Sequence, residues 1–417
     1  MLKQIEGSMG VALGVSLCRP EVICAYPISP QTHIVENLGT LTRQGKIEHC
    51  EYINVESEFA AMSTAIGASV AGARAYTATA SQGLLYMTEA IYNAAGLGLP
   101  IVMTVANRAI GAPINIWNDH SDSLSQRDSG WIQLYVESNQ EAVDMHIQAF
   151  RIAEELSLPV MVCMDGFVLT HAVERMDIPD QEKVDEFLPP YSPRQVLDPD
   201  APVTIGAMVG PEAFTEVRYL AHAKHIEGLS VIEKVGEEFK NIFGRDSGGL
   251  VSCYRCEDAD IRILAMGAAV GTIKDTVDEL REAGIKVGVV SLKCYRPFPV
   301  KAVREALAGA KTVLVVDRAL GAGSGGVVMM DVVCAVRDMA LDVRSVIAGL
   351  GGRAITKASV AKIVRAAADG VLADTTFMDL DEDLVRRQLE REAATRLSGP
   401  LPEAIIHDVA TRETSKE

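Results

Sequence analysis

Short apolar runs alternate, along the first half of the chain, with segments whose small and apolar residues recur at helical spacing. Fully apolar strands that alternate with helices form parallel sheets covered by helices on both faces. This half of the chain therefore predicts an α/β domain. Its strands are expected at 21–30, 73–81, 100–108 and 158–166, and its helices at 9–18, 58–72 and 84–97.

A second α/β pattern begins after the glycine pair at 248–249. A polar, proline-rich stretch at 178–202 precedes it and predicts a surface excursion or a linker, and a charged helical segment follows at 211–243. The strands of the second pattern are expected at 260–267, 286–295 and 311–317, and its helices at 272–284 and 343–352. The chain is thus predicted to form one domain at 1–247, a second at 248–375 and a charged extension at 376–417.

Composition narrows the class of protein. The 417 residues are 48% hydrophobic and carry a net charge of −17, which argues against nucleic acid or an anionic membrane as a partner. The apolar runs are well short of the about 20 residues that a membrane span needs. The first residues, MLKQIEGSMG, lack the apolar core of a signal peptide. Most of the eight cysteines lie inside apolar runs, which is typical of buried free thiols in a reducing cytoplasm.

Polar residues follow several predicted strands of the first domain, at 26–30, 56–58, 79–83 and 107–108. Parallel α/β sheets bind ligands at the carboxyl ends of their strands. These residues supply hydroxyls, a carboxylate and a guanidinium, so they predict a pocket for a small anionic organic substrate beside a cofactor. A further polar set, Asp119, His120 and Asp122, fits either an acid–base cluster or a structural loop that links subunits.

Two motifs carry little weight. Residues 321–326 fit the glycine spacing of a dinucleotide site, but a convincing acidic residue at the end of a second strand is missing. A glycine-rich turn that packs a helix against its sheet is the preferred interpretation. Cys253 and Cys256 form a single CxxC with no second pair nearby, so they are interpreted as ordinary thiols rather than as a zinc or cluster site.

Five motifs, in order, resemble the α chain of the pyruvate:ferredoxin oxidoreductase family. They are AYPISPQT (25–32), ESEFAA (56–61), TATASQGLLYM (77–87), NRA with INIWNDHSDSLSQRDSGWIQLY (107–135) and CYRPFP (294–299). The resemblance implies a thiamine-diphosphate-binding parallel-sheet domain of the pyrimidine type, followed by a transketolase C-terminal-like α/β domain. It also implies the oxidative decarboxylation of a 2-oxo acid with coenzyme A.

The resemblance also implies roles for individual residues. Glu58 matches the glutamate that binds the thiamine pyrimidine and controls its tautomer. Arg108 matches the arginine that holds the substrate carboxylate, and Ser29 stands where the family commonly has threonine. The residues implied to shape the cofactor pocket with Glu58 are Tyr26, Pro27, Ser81 and Gln82.

Two features expected of a self-sufficient enzyme are missing from the sequence. There is no Gly-Asp-Gly triplet followed at a distance by asparagine, which is the usual Mg²⁺–diphosphate motif, and no cysteine run suited to an iron–sulfur cluster. The resemblance therefore implies that no metal binds this chain. A β subunit is expected to hold the diphosphate and Mg²⁺, and ferredoxin-like and γ-type subunits to carry the iron–sulfur clusters.

The sequence leaves the substrate and one alternative role open. Pyruvate and an aryl 2-oxo acid such as phenylglyoxylate both fit, and the final acceptor is either ferredoxin or NAD. Oxalate fits less well, because a dianion would need a second cation and position 29 is neutral. The alternative is a non-catalytic subunit that keeps the fold for assembly. Retention of Glu58 and Arg108 argues against this alternative. A different type of thiamine enzyme is disfavoured by the segment WNDHSDSLSQRDSGW at 117–131 and by the implied dependence on partner subunits.

Overall fold

The computed structural model describes residues 1–395 and 402–414 of the chain. The strands are β1 (Leu2–Glu6), β2 (Val22–Ala25), β3 (Glu51–Asn54), β4 (Ala75–Thr79), β5 (Val102–Asn107), β6 (Ile132–Tyr135), β7 (Val160–Asp165), β8 (Val173–Asp177), β9 (Val251–Tyr254), β10 (Ile261–Ala265), β11 (Val287–Leu292), β12 (Cys294–Arg296), β13 (Thr312–Asp317), β14 (Asp342–Ile347) and β15 (Thr375–Phe377). The helices are α1 (Gly7–Leu17), α2 (Thr32–Arg43), α3 (Glu58–Val70), α4 (Ser81–Tyr86), α5 (Thr88–Gly96), α6 (Ser121–Ser125), α7 (Asn139–Leu156), α8 (Gln181–Phe187), α9 (Phe214–Phe243), α10 (Ala269–Glu282), α11 (Val300–Leu307), α12 (Val327–Val336), α13 (Lys357–Ala368), α14 (Glu382–Thr395) and α15 (Pro402–Thr414).

The first sheet has seven strands in the order β12-β6-β7-β5-β4-β2-β3. Strands β5 and β7 lie at its centre and are buried along their whole length, as expected of apolar strands covered by helices on both faces. All pairings are parallel except that of β12 with β6. The predicted parallel α/β domain is therefore confirmed.

The second sheet has six strands in the order β15-β14-β13-β10-β11-β9, and only β9 is antiparallel to its neighbour. The prediction of a helix at 343–352 is wrong, because β14 occupies the first half of this segment. The β-branched residues Val343, Val346 and Ile347 favour a strand, and β14 pairs with β13 along its length. Gly349 and Gly351 then adopt positive φ, and only the short 3₁₀ turn Leu350–Gly352 follows.

The two sheets are joined by shared packing. The chain leaves the second sheet after β11 and immediately adds β12 to the edge of the first sheet. A single hydrophobic cluster includes residues of both sheets, such as Met103 of β5 and Leu264 of β10. The two α/β units therefore form a continuous core rather than two separate bodies.

The segments outside the sheets are partly buried. Helix α8 lies within the proline-rich stretch at 178–202, and its Phe187 packs edge-on against Phe239 of α9, with ring centroids 5.5 Å apart. Helix α9 spans 30 residues, and its buried residues lie in its second half. All eight cysteines are free thiols, and five are buried. No helix among the described residues has both the length and the apolar character needed to cross a bilayer.

Candidate functional site

The carboxyl ends of four neighbouring strands of the first sheet carry polar residues. Ser29 lies in the loop after β2, Ser81 begins α4 after β4, Arg108 follows β5, and Asp165 ends β7. Because these strands are parallel, the four residues share one edge of the sheet. We call this edge, with Glu58 at the start of α3, the rim.

Arg108 is the cation of the rim, and its side chain is only 8% exposed. Its Nη1 donates to the backbone oxygen of Ser29 at 2.9 Å, and its Nε donates to that of Asn115 at 3.1 Å. Burial lowers the pKa of Arg108, although the nearby Asp122 carboxylate acts in the opposite direction. Its Nη2 donates to no atom of residues 1–395 or 402–414. The guanidinium is thus fixed along one side and keeps donors for an anion.

Asp122 determines where the backbone of two rim residues lies. Its Oδ2 accepts from the amides of Ser81 at 2.9 Å and Arg108 at 3.0 Å, and its Oδ1 accepts from Asn107 Nδ2 at 2.8 Å and the Ser123 amide at 2.8 Å. The side chain is fully buried, and this burial raises its pKa to about 6. Since four donors bond it, Asp122 connects the ends of β4 and β5 and is fully occupied by that role.

Ser81 and Gln82 form the first turn of α4. Ser81 is fully buried with φ of 49°, and its Oγ lies 2.6 Å from the backbone oxygen of Ala109, so the hydroxyl bonds the chain itself. Gln82 is half-buried, and its Nε2 lies 2.6 Å from the point where a side chain on Gly111 would begin. This turn therefore packs against the segment that follows Arg108.

Glu58 begins α3 and is only 8% exposed. The preceding Ser57 caps the helix by accepting from the Ala60 amide at 3.1 Å. A Cβ atom at Gly83 would lie 2.6 Å from Glu58 Oε1 and 2.6 Å from Thr79 Oγ1, so only glycine leaves this space open. Thr79 Oγ1 is buried and has no hydrogen-bond partner within the described residues. A carboxylate and an unpaired hydroxyl therefore border a cradle at Gly83.

Tyr26, Pro27 and Ser29 lie on the outside of the rim. All three are exposed, and the side chain of Tyr26 is 39% accessible. Ser29 contacts Arg108 through its backbone oxygen, and its exposed hydroxyl has no hydrogen-bond partner among the described residues. The structure thus brings Ser29, Arg108 and Ser81 together, the last through Asp122, and places Glu58 beside the turn that contains Ser81.

Asp165 is a site residue that the sequence analysis missed. Its Oδ1 accepts from Arg318 Nη1 at 2.6 Å and lies 3.0 Å from His120 Nε2, and its Oδ2 accepts from the Ala268 amide at 2.6 Å. Burial alone would raise the pKa of Asp165, but the adjacent Arg318 and His120 hold it well below its usual range. Asp165 therefore joins the first sheet to the second. Its position at the end of an apolar strand was the available signal.

The segment 114–122 connects the two units at the same place. Asp119 Oδ2 accepts from the Gly351 amide at 2.9 Å, and Asn115 Nδ2 donates to the Gly351 oxygen at 3.1 Å. His120 donates its amide to the Arg318 oxygen at 2.7 Å. Each member of the polar set Asp119, His120 and Asp122 is therefore committed to bonds that hold the two sheets and the rim in position.

The two discounted motifs lie in the second unit. Asp317 accepts from the amides of Val328 at 2.7 Å and Met329 at 3.1 Å, so its carboxylate occupies the N-terminus of α12, where a dinucleotide diphosphate would bind. The loop at 321–326 is thus the predicted packing turn. Cys253 is exposed and Cys256 buried, and a hydrogen bond from Cys256 lowers the pKa of Cys253 to about 7. Neither belongs to a group of three metal-ligating side chains in the described residues.

Solved structures share this fold. A chain of the 2-oxoglutarate:ferredoxin oxidoreductase from Magnetococcus marinus matches with a TM-score of 0.67 and 20% identity, over 89% of this chain and 65% of that chain. A split-gene transketolase, described as an inactive β4 tetramer, matches with a TM-score of 0.53 and 14% identity, over 88% of this chain and 99% of that one. At such identities the likeness concerns the fold alone.

Family models and relatives give the closer relationship. Residues 14–237 match the thiamine diphosphate-binding domain of pyruvate flavodoxin/ferredoxin oxidoreductases, and residues 259–360 match core domain II of pyruvate:ferredoxin oxidoreductase. The chain is 46% identical to pyruvate synthase subunit PorA of Methanosarcina barkeri, over 91% of this chain and 97% of that protein. It is 40% identical to ketoisovalerate oxidoreductase subunit VorA of Pyrococcus horikoshii, over 87% and 92%.

The family models and the relatives place the chain among the α/β subunits of 2-oxo acid:ferredoxin oxidoreductases, enzymes that act with partner subunits. The chain belongs to the pyruvate:ferredoxin oxidoreductase family, among the relatives of the PorA and VorA subunits.

Proposed function

We propose that this chain is the thiamine-pyrimidine-binding α subunit of a complex that oxidatively decarboxylates a 2-oxo acid. The products would be an acyl-CoA, CO₂ and reduced ferredoxin or NADH. The observation that carries the proposal is the Arg108 guanidinium, which is buried and fixed on one side, while its Nη2 donors bond no atom in the part of the chain that the structure describes. A buried guanidinium with spare donors suits a small carboxylate.

The cradle at Gly83 fits thiamine diphosphate. Glu58 borders it with a carboxylate, and Thr79 contributes a buried hydroxyl that has no hydrogen-bond partner among residues 1–395 and 402–414. When bound, the cofactor supplies an electron sink for the carbon that loses CO₂. The share of this chain is proton control, because Glu58 would exchange a proton with the ring nitrogen of the pyrimidine. Diphosphate and Mg²⁺ would be held by a β subunit, since the chain lacks the motif for them.

Arg108 and Ser29 would orient the substrate. Arg108 would hold the carboxylate through its free edge, and the exposed hydroxyl of Ser29 would donate to a substrate oxygen. The residues that would line the pocket beside them are Tyr26, Pro27, Ser81 and Gln82. Fixing the carboxylate in this way presents the adjacent carbonyl carbon in a defined orientation.

Pyruvate is the substrate best supported, because the PorA relatives are named as pyruvate synthase subunits. A bulkier acid such as phenylglyoxylate stays an alternative, since serine at position 29 leaves more room than threonine would. The discrimination from one methyl group is only about 1–3 kcal/mol. The complex would also contain ferredoxin-like and γ-type subunits carrying iron–sulfur clusters, and it would work in the cytoplasm.

The test is steady-state turnover of the purified complex with coenzyme A and an artificial electron acceptor. Pyruvate, 3-methyl-2-oxobutanoate and phenylglyoxylate are compared, and we expect the highest kcat/KM for pyruvate. Preference for phenylglyoxylate would move the proposal to the aryl acid. Turnover of none of the three by a complex that retains thiamine diphosphate would contradict it.

A second measurement tests whether the subunit is catalytic at all. Glu58→Gln should lower kcat by at least about a hundredfold, because an amide cannot exchange the proton. The matched control is Glu89→Gln, since Glu89 is exposed and also lies in the first turn of a helix. Unchanged turnover of the Glu58→Gln complex would favour a non-catalytic assembly role.

A further inference from the structure

Three metal-ligating side chains from separate parts of the chain meet beside the first sheet. Glu6 ends β1, His33 lies in the first turn of α2, and His171 lies in the turn between β7 and β8. One ligand atom from each lies within 4.8 Å of the other two. His33 Nδ1 is 2.7 Å from Glu6 Oε1, and the rings of His33 and His171 are 4.7 Å apart.

Backbone contacts, rather than chance rotamers, bring Glu6 and His171 together. Strand β1 pairs with β8, and this pairing sets Glu6 opposite Val173. The amide of Gly7 then donates to the Ala172 oxygen at 2.9 Å. The residues that follow Glu6 and His171 in the chain are thus hydrogen-bonded to each other. The fold therefore fixes the backbone positions from which the side chains of Glu6 and His171 extend.

His171 is held in a way that suits a metal ligand. Its Nδ1 lies 2.8 Å from Thr170 Oγ1, and that hydroxyl also accepts from the Phe167 amide at 2.8 Å. Metal-binding imidazoles are usually oriented by a hydrogen bond at the nitrogen that does not bind the metal.

We propose that Glu6, His33 and His171 bind a divalent transition-metal ion, Zn²⁺ being the best match to two imidazoles and one carboxylate. Three protein ligands leave one position for water, as in open zinc sites. The proposal does not depend on the substrate or the reaction proposed above, because none of the three residues is among those assigned to catalysis.

A metal ion at this site would stabilise two segments that support the rim, namely those that follow β2 and β7. The turn that carries His171 begins at Gly166, where a Cβ atom would lie 2.5 Å from Pro30 Cγ and 2.5 Å from the Asn107 oxygen. Helix α2, which carries His33, begins at Thr32, two positions after Pro30. A bound ion would therefore connect the segments that follow β2 and β7, and its effect would be structural stabilisation at this corner.

The test uses the full-length chain without a polyhistidine tag, freed of metal by a chelator. Zn²⁺ is titrated by calorimetry, and Co²⁺ is followed by its visible absorption spectrum. We expect one ion per chain and a higher thermal midpoint with Zn²⁺, since binding only the folded state stabilises it. Each of the variants His171→Ala, His33→Ala and Glu6→Gln should weaken Zn²⁺ binding at least about tenfold, because loss of an outer-shell partner alone costs about that much and these residues are proposed to bind the ion directly.

His222→Ala is the matched control, because His222 is exposed on α9. This substitution removes one surface imidazole and leaves Glu6, His33 and His171 unchanged. It should bind Zn²⁺ like the unaltered chain. The proposal is overturned if the unaltered chain binds Zn²⁺ no more tightly than His33→Ala, or if His222→Ala loses as much affinity. His33 is half-exposed and Glu6→Gln keeps the side-chain shape, so these two variants remain informative if His171→Ala fails to fold.

Discussion

The two sheets end in buried carboxylates that are used in opposite ways. At the first sheet, Asp122 of the short helix α6 accepts hydrogen bonds from the amides of Ser81 and Arg108, and so it fixes the backbone of two rim residues. At the second sheet, Asp317 bonds Val328 and Met329 of the helix that follows its own strand. We call the end of the first sheet, where Asp122 holds the rim residues, the open edge. We call the end of the second sheet, where Asp317 bonds the helix after its own strand, the closed edge.

The comparison shows that a polar residue at a strand end is not by itself a binding site. Burial raises the pKa of both Asp122 and Asp317 to about 6, so titration does not tell the two apart. What differs is which donors remain. At the rim, Arg108 keeps Nη2 donors that bond nothing within the described residues, and only a glycine at position 83 fits beside Glu58. At the second sheet, Asp317 accepts from the helix amides that a ligand would need.

The largest effect is expected where the two edges meet, at Asp165. Asp165→Asn removes the negative charge that faces Arg318, whose side chain is only 6% exposed. Breaking a buried ion pair from one side costs about 3–5 kcal/mol, because the other charge stays buried and unpaired. Urea denaturation should show this loss in the free energy of unfolding. Asp338→Asn, which affects only the exposed pair with Arg304, should leave stability unchanged, and equal losses would contradict the prediction.

The second prediction concerns the open edge alone. Arg108→Ala should lower kcat/KM of the complex at least about a hundredfold, as expected when a charged hydrogen-bonding partner is lost. Arg108→Lys keeps the charge but not the fork and should recover only part of the loss. Arg304→Ala, at an exposed arginine, should keep full activity. A normal kcat/KM for the Arg108→Ala complex would show that the guanidinium does not bind the substrate.

The sequence predicted most of the first sheet because its strands are buried on both faces. Runs such as 100–108 and 158–166 are short, almost wholly apolar and contain β-branched residues, which favours central strands, and β5 and β7 lie there. The segment 343–352 was misassigned because a short apolar run fits a buried helix as well as a strand. Only its pairing with β13, a contact remote in sequence, decides the matter.

For the site, the sequence located the strand-end residues but not their connections. Ser29, Ser81 and Arg108 share the rim because parallel strands align their ends. The role of Asp122 depends on a loop folding back over two strand ends, and that of Asp165 depends on Arg318, 153 positions later. No local sequence pattern predicts contacts between residues so far apart in the chain. The sequence alone therefore could not decide whether Asp119, His120 and Asp122 form an acid–base cluster or a structural loop.

The third prediction tests the closed edge by pH. The folded pKa of Asp317, about 6, lies above the ordinary carboxyl value because burial outweighs the bonds from α12. The folded state therefore binds more protons between about pH 4 and 6, and the contribution of Asp317 to stability falls as pH rises through that window. The free energy of unfolding of the unaltered protein should therefore fall by about 2–3 kcal/mol relative to that of Asp317→Asn as the pH rises from about 4 to above 6, because the asparagine does not titrate. A pH-independent difference between the two would show that Asp317 has an ordinary pKa.

The last prediction tests whether the glycine at position 326 is needed for the contact between Asp317 and the N-terminus of α12, or whether any glycine of the loop at 321–326 matters equally. A Cβ atom at Gly326 would overlap Asp317 Oδ2 and lie 3.0 Å from Ser345 Oγ, so Gly326→Ala must displace the carboxylate from the helix end. Loss of such a cap costs about 1–2 kcal/mol. At Gly321 the nearest atom to a Cβ would be 3.4 Å away, an ordinary contact. Gly321→Ala should therefore leave the thermal midpoint nearly unchanged, while Gly326→Ala lowers it. Equal shifts would mean that the loop backbone, and not the Asp317 contact, closes this edge.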